Sequence, residues 1–295
     1  MPALIDLRRR IKSVKNTQQI TQAMKTVATA KFKKAQKSVM EGRPYWHNYP
    51  ELIKDMSGWV SRQSHPLLEK REEKNVLCIV IVSDKGLCGA FNSNLLEEAR
   101  QQLEEKAKHS SIRLVLIGKK AVQYFKRREF PVERAYQDYM HEFHDEDLEK
   151  LTQHLMRLYA LHHTDAVYVA YNEFKSIIAP KITFSRLLPL EPPWNNEEEG
   201  AANKMPIVKK GMPDMDPGSS PLLDALLPVY VEDQIFHYFY ESVAAEHAAR
   251  MMAMDNATRN AEDLISDLTL ELNKIRQASI TTELLEIQSA VEALD

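Results

Sequence analysis

From Val229 to Leu294 the chain carries neither Gly nor Pro, and its apolar and small residues recur three and four positions apart. The series is Ala244, His247, Met251, Met254, Thr258, Ala261, Ile265, Leu268, Leu272, Ile275. That spacing is a coiled-coil seam, weak at its head and strong from Ile265 to Ile275. One helix over this run would extend ~100 Å, far beyond the usual three turns, so it requires a partner. The opposite end of the chain supplies a candidate. Ala3 to Glu41 also lacks Gly and Pro, with Leu4, Leu7, Ile11 and Val14 at heptad spacing. The plainer reading is two buried helices of an ordinary bundle, but bundle helices rarely exceed 25 residues without caps.

The middle of the first helix, IKSVKNTQQITQAMKTVATAK, is unusually polar: Asn16, Thr17, Gln18, Gln19, Thr21 and Gln22 stand where a heptad would place Leu. A helix polar nearly all round bridges solvent or packs on other chains. Gly42 and Pro44 predict a bend or break near Met40, and a second helical piece runs Tyr49 to Arg62. His65-Pro66 follows it.

Between the helices the period changes. NVLCIVIV (Asn75 to Val82) is a continuous apolar run, the pattern of a strand buried on both faces. Further strands are expected at Arg113 to Gly118, Val132 to Tyr136, Ala166 to Tyr171 and Lys181 to Leu190. Helices are expected at Leu95 to Lys108, Lys119 to Arg128 and Asp145 to His162, the last with Leu148, Leu151, Leu155, Leu158 and Leu161 on one face. Strands alternating with helices predict an α/β unit with a mainly parallel sheet. Residues 191–220 read as a linker rich in Pro, Gly and Glu. Ser220 is a candidate N-cap, Pro221 a first-turn residue, and Pro228 a kink. The chain thus divides into an N-terminal helical region (1–62), an α/β globular domain (75–190), a linker (191–220) and a C-terminal helix (221–295). The expected fold is a long antiparallel two-helix coiled coil with a Rossmann-like α/β domain inserted between its helices.

Composition modifies this picture only in places. At 295 residues with 44% hydrophobic and 27% charged residues, the chain can build a core and still present much polar surface. The net charge of -3 names no partner. Its distribution says more, because Arg8, Arg9, Arg10, Lys12, Lys15, Lys25, Lys31, Lys33, Lys34 and Lys37 crowd the first helix. Without interleaved aromatics, that face reads as solvated or as meeting acidic protein loops rather than nucleic acid. The two cysteines, Cys78 and Cys88, make no disulfide framework and indicate a reducing compartment. No window reaches ~18 consecutive apolar residues, and helical pattern begins at once, so neither a membrane span nor a targeting segment is expected.

The search for chemistry is largely negative. Gly86-Leu87-Cys88-Gly89 follows a strand and precedes a helix, where phosphates often bind, but matches neither G-x-G-x-x-G nor the P-loop. A tight strand-to-helix turn is the plainer reading. His141, Glu142, His144 and Asp145 lack the spacing that sets two imidazoles on one helical face, and acids suit a helix start. His162-His163 suits a helix end.

Three blocks carry a resemblance: IKSVKNTQQITQAMKTVATAKFKKAQ (Ile11 to Gln36), SDKGLCGAFNSN (Ser83 to Asn94) and AARMMAMDNATRNAEDLISDLTLELNKIRQASITTELLEI (Ala248 to Ile287). In order and content they resemble the gamma subunit of bacterial-type F-type ATP synthase, over nearly the whole chain. The resemblance implies a central rotor shaft, one copy per complex, within a ring of alpha and beta subunits. Its globular domain would rest against the epsilon subunit and the membrane rotor ring, and the complex would lie peripherally on the cytoplasmic face of a bacterial cell membrane. It implies no catalytic residue, cofactor or metal of the chain's own.

Residue by residue, it places Arg8, Arg9, Met24, Lys25, Arg250, Arg276, Gln277 and Thr281 on the surface facing the alpha/beta ring. Leu7, Ile11, Val14, Ile265, Leu268, Leu272 and Ile275 fall in the seam. The chain departs from the family at KMPIVKKGMPDMDPGSS, where the family usually has W-x-Y-x-x-E-P, at Pro228, and in its SAVEALD tail. The cysteine-bearing insertion of the photosynthetic branch is not visible. Two other readings compete: a coiled-coil adaptor or scaffold, and a nucleotide-binding α/β enzyme using the Gly86 turn.

Overall fold

The structure, a computed structural model, describes residues 2–57, 65–138, 145–176, 180–190 and 219–292. The element order is α1 (Pro2–Ser57), a 3-10 turn (Pro66–Leu68), β1 (Asn75–Ile81), α2 (Phe91–Lys106), β2 (Ser111–Ile117), α3 (Lys119–Phe125) and β3 (Val132–Tyr136). It continues with α4 (Asp145–Ala160), β4 (Ala166–Glu173), β5 (Lys181–Leu188) and α5 (Ser219–Glu292). The chain divides into two compact units: residues 2–30 with 250–292, and Lys31–Ala249. This division cuts both long helices.

The larger unit holds a five-stranded sheet of order β3-β2-β1-β4-β5. All neighbouring pairs are parallel except β4 and β5, which form an antiparallel edge. β1 and β4 are apolar throughout their centres because both faces are covered. On one face Val76, Cys78, Val80 and Val82 of the β1 run pack with Leu95, Leu103, Ala121 and Phe125 of α2 and α3. On the other, Leu77, Ile79 and Ile81 meet Leu148, Leu151, Leu155 and Tyr159 of α4, and Leu227, Val231, Ile235 and Phe239 of α5. The α4 stripe differs from expectation at its end. Thr152 and Tyr159 join the core, while Leu161 lies beyond the helix and is 53% exposed.

Neither proline interrupts its helix. α1 passes through Gly42 and Pro44 as one helix to Ser57, and α5 contains Pro228. A proline inside a helix costs about 3 kcal/mol through its missing N–H and ring clash. At Pro44 tertiary anchoring offsets this, since neighbours Arg43 and Trp46 are tied to other elements. α5 begins at Ser219, so Ser220 is already helical rather than the cap. His141, Glu142 and His144 lie outside the described residues, and Asp145 opens α4.

In the smaller unit α1 and α5 run antiparallel. Gln18 Nε2 donates to Glu262 Oε1 at 3.0 Å, Thr258 Oγ1 donates to Thr21 Oγ1 at 2.8 Å, and Lys25 Nζ donates to Asp255 Oδ1 at 2.6 Å. The paired residue numbers sum to 279 or 280 at every step, so one register holds throughout the ladder. Continued toward the chain start, it sets Val14 level with Ile265, Ile11 with Leu268 and Leu7 with Leu272. Burial runs opposite to the expected gradient. Met254, Thr258, Ala261 and Leu268 are buried, whereas Ile265, Leu272 and Ile275 are half-buried, as are Leu7, Ile11 and Val14. The small side chains at Thr258 and Ala261 permit close helix approach there, and large residues farther on are covered on one side only.

Candidate functional site

The chemistry-bearing residues fall at two places, one in each unit.

In the larger unit the site is the crevice where the sheet order reverses, at the C-terminal ends of β1 and β4. In open α/β sheets this is where ligands bind. Here the chain fills it with its own groups. The Asn92 side chain accepts the Ser83 N–H at 3.0 Å and donates to Ser83 Oγ at 2.8 Å. The Ser83 hydroxyl donates to the Lys85 carbonyl at 2.6 Å. Asp84 Oδ1 accepts the Lys119 and Asp138 N–H groups at 2.8 and 2.9 Å, capping α3 and tying it to the chain after β3. Leu87 and Gly89 take left-handed backbone (φ 65° and 59°), which folds the Gly86–Gly89 turn back on itself. Cys88 and Phe91 are thereby turned inward onto Phe32, Ala35 and Val39 of α1 and Ala244, Ala245 and Ala248 of α5. Burial raises the Cys78 thiol far above its ordinary range, and both cysteines are buried. The phosphate-binding reading of this turn is replaced by a socket for two helices.

Phe174, just past β4, is the centre of that socket. Its N–H donates to Glu241 Oε2 at 2.8 Å, and its carbonyl accepts from Arg43 Nη2 at 3.0 Å. Arg43 Nη2 also lies 3.3 Å from Glu241 Oε1, closing a ring between α1, α5 and the sheet. Burial alone would raise the Glu241 carboxyl. The hydrogen bonds from His237 and Phe174, with the charges of His237 and Arg43, outweigh it and hold the group below its usual range. His237 is stacked on Trp46 with ring centres 4.3 Å apart. The sequence reading missed all four side chains. A lone carboxylate inside the apolar run from Phe236 to Ala245 was the available signal for Glu241.

In the smaller unit the expected contact residues are mostly on the surface. Arg8, Arg9, Arg276, Gln277 and Thr281 are exposed, and Met24 is half-buried. Lys25 is half-buried and engaged with Asp255, whose carboxyl is lowered first by the hydrogen bond from Lys25. Arg250 departs from the expectation: it is buried, at 8% exposure, and has little surface to offer a partner. By the register of the ladder, Pro2 lies level with Gln277, so later residues run past the start of α1. Ile280, Leu284, Leu285 and Ile287 there are each at least 50% exposed.

A mainly parallel sheet domain whose ligand crevice is taken by helices at the two chain ends, and an antiparallel helix pair laddered by polar contacts, define the class of protein: an α/β domain carried on paired terminal helices. Comparison with known proteins agrees. The ATP synthase family profile matches residues 3–294. ATP synthase gamma chains of Pelotomaculum thermopropionicum and Solibacter usitatus are 41% and 42% identical, each over the full length of both chains. Among solved structures, a chain of the Euglena gracilis mitochondrial ATP synthase (OSCP/F1/c-ring, rotational state 3) aligns over 99% of this chain and 95% of its own, at 21% identity and a TM-score of 0.68. A chain of the Tetrahymena thermophila mitochondrial ATP synthase central stalk and c-ring aligns over 81% of this chain and 99% of its own, at 22% identity and a TM-score of 0.60. The chain belongs to the gamma-chain family of ATP synthases.

Proposed function

We propose that this chain is the central rotor shaft of an ATP synthase, coupling ion-driven rotation of a membrane ring to nucleotide chemistry in surrounding alpha and beta subunits. The observation that carries the reading is the antiparallel ladder from Gln18–Glu262 to Lys25–Asp255, which makes one rod of the two chain ends. A shaft turning in a protein sleeve needs a firm interior and an exterior that adheres strongly in no single orientation. Polar surface between apolar positions suits this, as exposed ion pairs are worth only about 0–1 kcal/mol each. Orientation-dependent contacts then bias the conformations of the ring. Arg8, Arg9, Met24, Lys25, Arg276, Gln277 and Thr281 are the residues assigned to those contacts. The catalytic groups belong to the ring, and the shaft contributes none.

The overhanging end of α5 fits an apolar bearing formed by the alpha and beta subunits, because an isolated helix end is marginal in water. The epsilon subunit and the membrane ring are the partners assigned to the α/β domain. Among the described residues no helix is long and apolar enough to cross a membrane. The bacterial origin of the gamma-chain relatives supports a position for the complex on the cytoplasmic face of a cell membrane. Co-expression with alpha and beta subunits tests the reading: the chain should co-purify in one copy with three of each. Recovery as a homo-oligomer, or without alpha and beta, would support the adaptor reading instead.

A further inference from the structure

We infer that Glu241 and Arg43 are the key that locks the helices to the α/β domain, so that torque applied to the domain turns both helices together. The inference rests on the shaft reading and names the residues that carry its load within the larger unit. A domain that turns two helices must grip both, and apolar contacts alone resist sliding weakly because they have no preferred direction. Directional bonds are required at the grip.

The ring around Phe174 supplies them. Phe174 belongs to the chain leaving the sheet; its N–H is taken by α5 through Glu241 and its carbonyl by α1 through Arg43. The two side chains also meet each other at 3.3 Å. Rotation of either helix against the sheet breaks one of these bonds, and rotation of one helix against the other breaks the third. The Glu241 side chain is only 2% exposed. Charge-assisted bonds are strong, and the buried one from the Phe174 N–H to Glu241 is costly to leave unmade. The Ser242 hydroxyl adds a bond to the Ile81 carbonyl at 3.4 Å, at the end of the neighbouring strand β1. Trp46 stacked on His237 places an aromatic wedge one turn along on each helix.

The test uses the assembled complex containing the full chain. Two quantities are read: hydrogen exchange at the Phe174 amide, and ions pumped per ATP hydrolysed. Glu241→Ala should speed that exchange at least tenfold and lower the pumping ratio at least twofold, with ATP hydrolysis held within twofold. Glu241→Gln keeps an acceptor for Phe174 but loses the charge facing Arg43, and should fall between. Arg43→Met leaves the Glu241–Phe174 bond in place and should lower the pumping ratio without the exchange change. It also carries the test if Glu241→Ala fails to assemble. A purely structural role would lower thermal stability in these variants and leave the pumping ratio untouched, which overturns the inference. Unchanged exchange at Phe174 in Glu241→Ala also overturns it. Failure of the shaft reading itself is seen separately, as absence of the unaltered chain from the complex.

Discussion

Lys25 Nζ lies 2.6 Å from Asp255 Oδ1, joining two residues 230 positions apart in the chain. Arg259 reaches the other oxygen of the same carboxylate at 2.9 Å. The pair stands one helical turn from the Thr21–Thr258 hydroxyl contact and two from Gln18–Glu262. Polar groups at this depth stabilise less than leucines would, but they favour one partner and one register.

Reversing one charge of that pair should weaken the helix pair, and reversing both should restore it. Asp255→Lys sets a second ammonium beside Lys25 and is expected to lower the melting temperature of the assembled complex. Adding Lys25→Asp should recover most of the loss. Scanning calorimetry of the complex with the two single variants and the double variant reads the coupling directly. Additive losses in the double variant would mean the pair does not act as a unit.

Burial ranks the seam residues. Leu268 is 5% exposed while Ile265 is half-buried. Leu268→Ala should therefore cost about 2–4 kcal/mol, and Ile265→Ala clearly less. Chemical denaturation of both variants in the same background decides it, and equal losses would contradict the burial order.

Much of this fold was legible in the pattern of residues. The uninterrupted runs at both chain ends predicted the helix pair, and NVLCIVIV predicted a strand covered on both faces. β3 was placed at its observed limits, Val132 to Tyr136. What failed has a common physical cause. Pro44 and the head of the α5 seam were read by local rules, while distant partners decide them. α1 continues through Pro44, where Arg43 and Trp46 are tied to other elements, and Thr258 and Ala261 are buried more deeply than the larger Ile275. Arg250 likewise looks like a surface cation in sequence, and only tertiary packing removes it from the surface. Glu241 stood out only as a lone carboxylate in an apolar run, and its pairing with Arg43 was not legible because their meeting point, Phe174, lies 67 and 131 positions from them in the chain.

Glycine positions give a sharper test of packing. A Cβ on Gly42 would stand 2.4 Å from the Trp46 ring, so the indole must move off His237. Gly42→Ala should cost about 1–3 kcal/mol. At Gly118 the Cβ would meet the Val82 carbonyl oxygen at 2.0 Å, and the backbone is at φ +100°. Gly118→Ala should cost more, because a strand backbone cannot yield as a side chain can. Thermal melts of the two variants, compared side by side, check the order.

Acid sensitivity should follow Glu241. Its folded carboxyl sits below the usual value for a glutamate, about 4.3 in an unfolded chain. The stabilisation is thus fully present above that value and is lost as pH falls through the lower folded value. Melting temperatures measured from pH 7 to pH 3 should decline more steeply in the unaltered chain than in Glu241→Gln, which starts lower but has no charge there to lose. Parallel curves would assign the acid transition to other carboxyls.

Rotation itself is the most direct measurement. A cysteine at the exposed Lys108 position, in the turn after α2, can carry a bead while alpha and beta subunits are fixed to a surface. With ATP the bead should turn continuously in one direction, and Glu241→Ala should broaden its angular fluctuation during pauses. A bead that stays still while the fixed ring hydrolyses ATP would contradict the account.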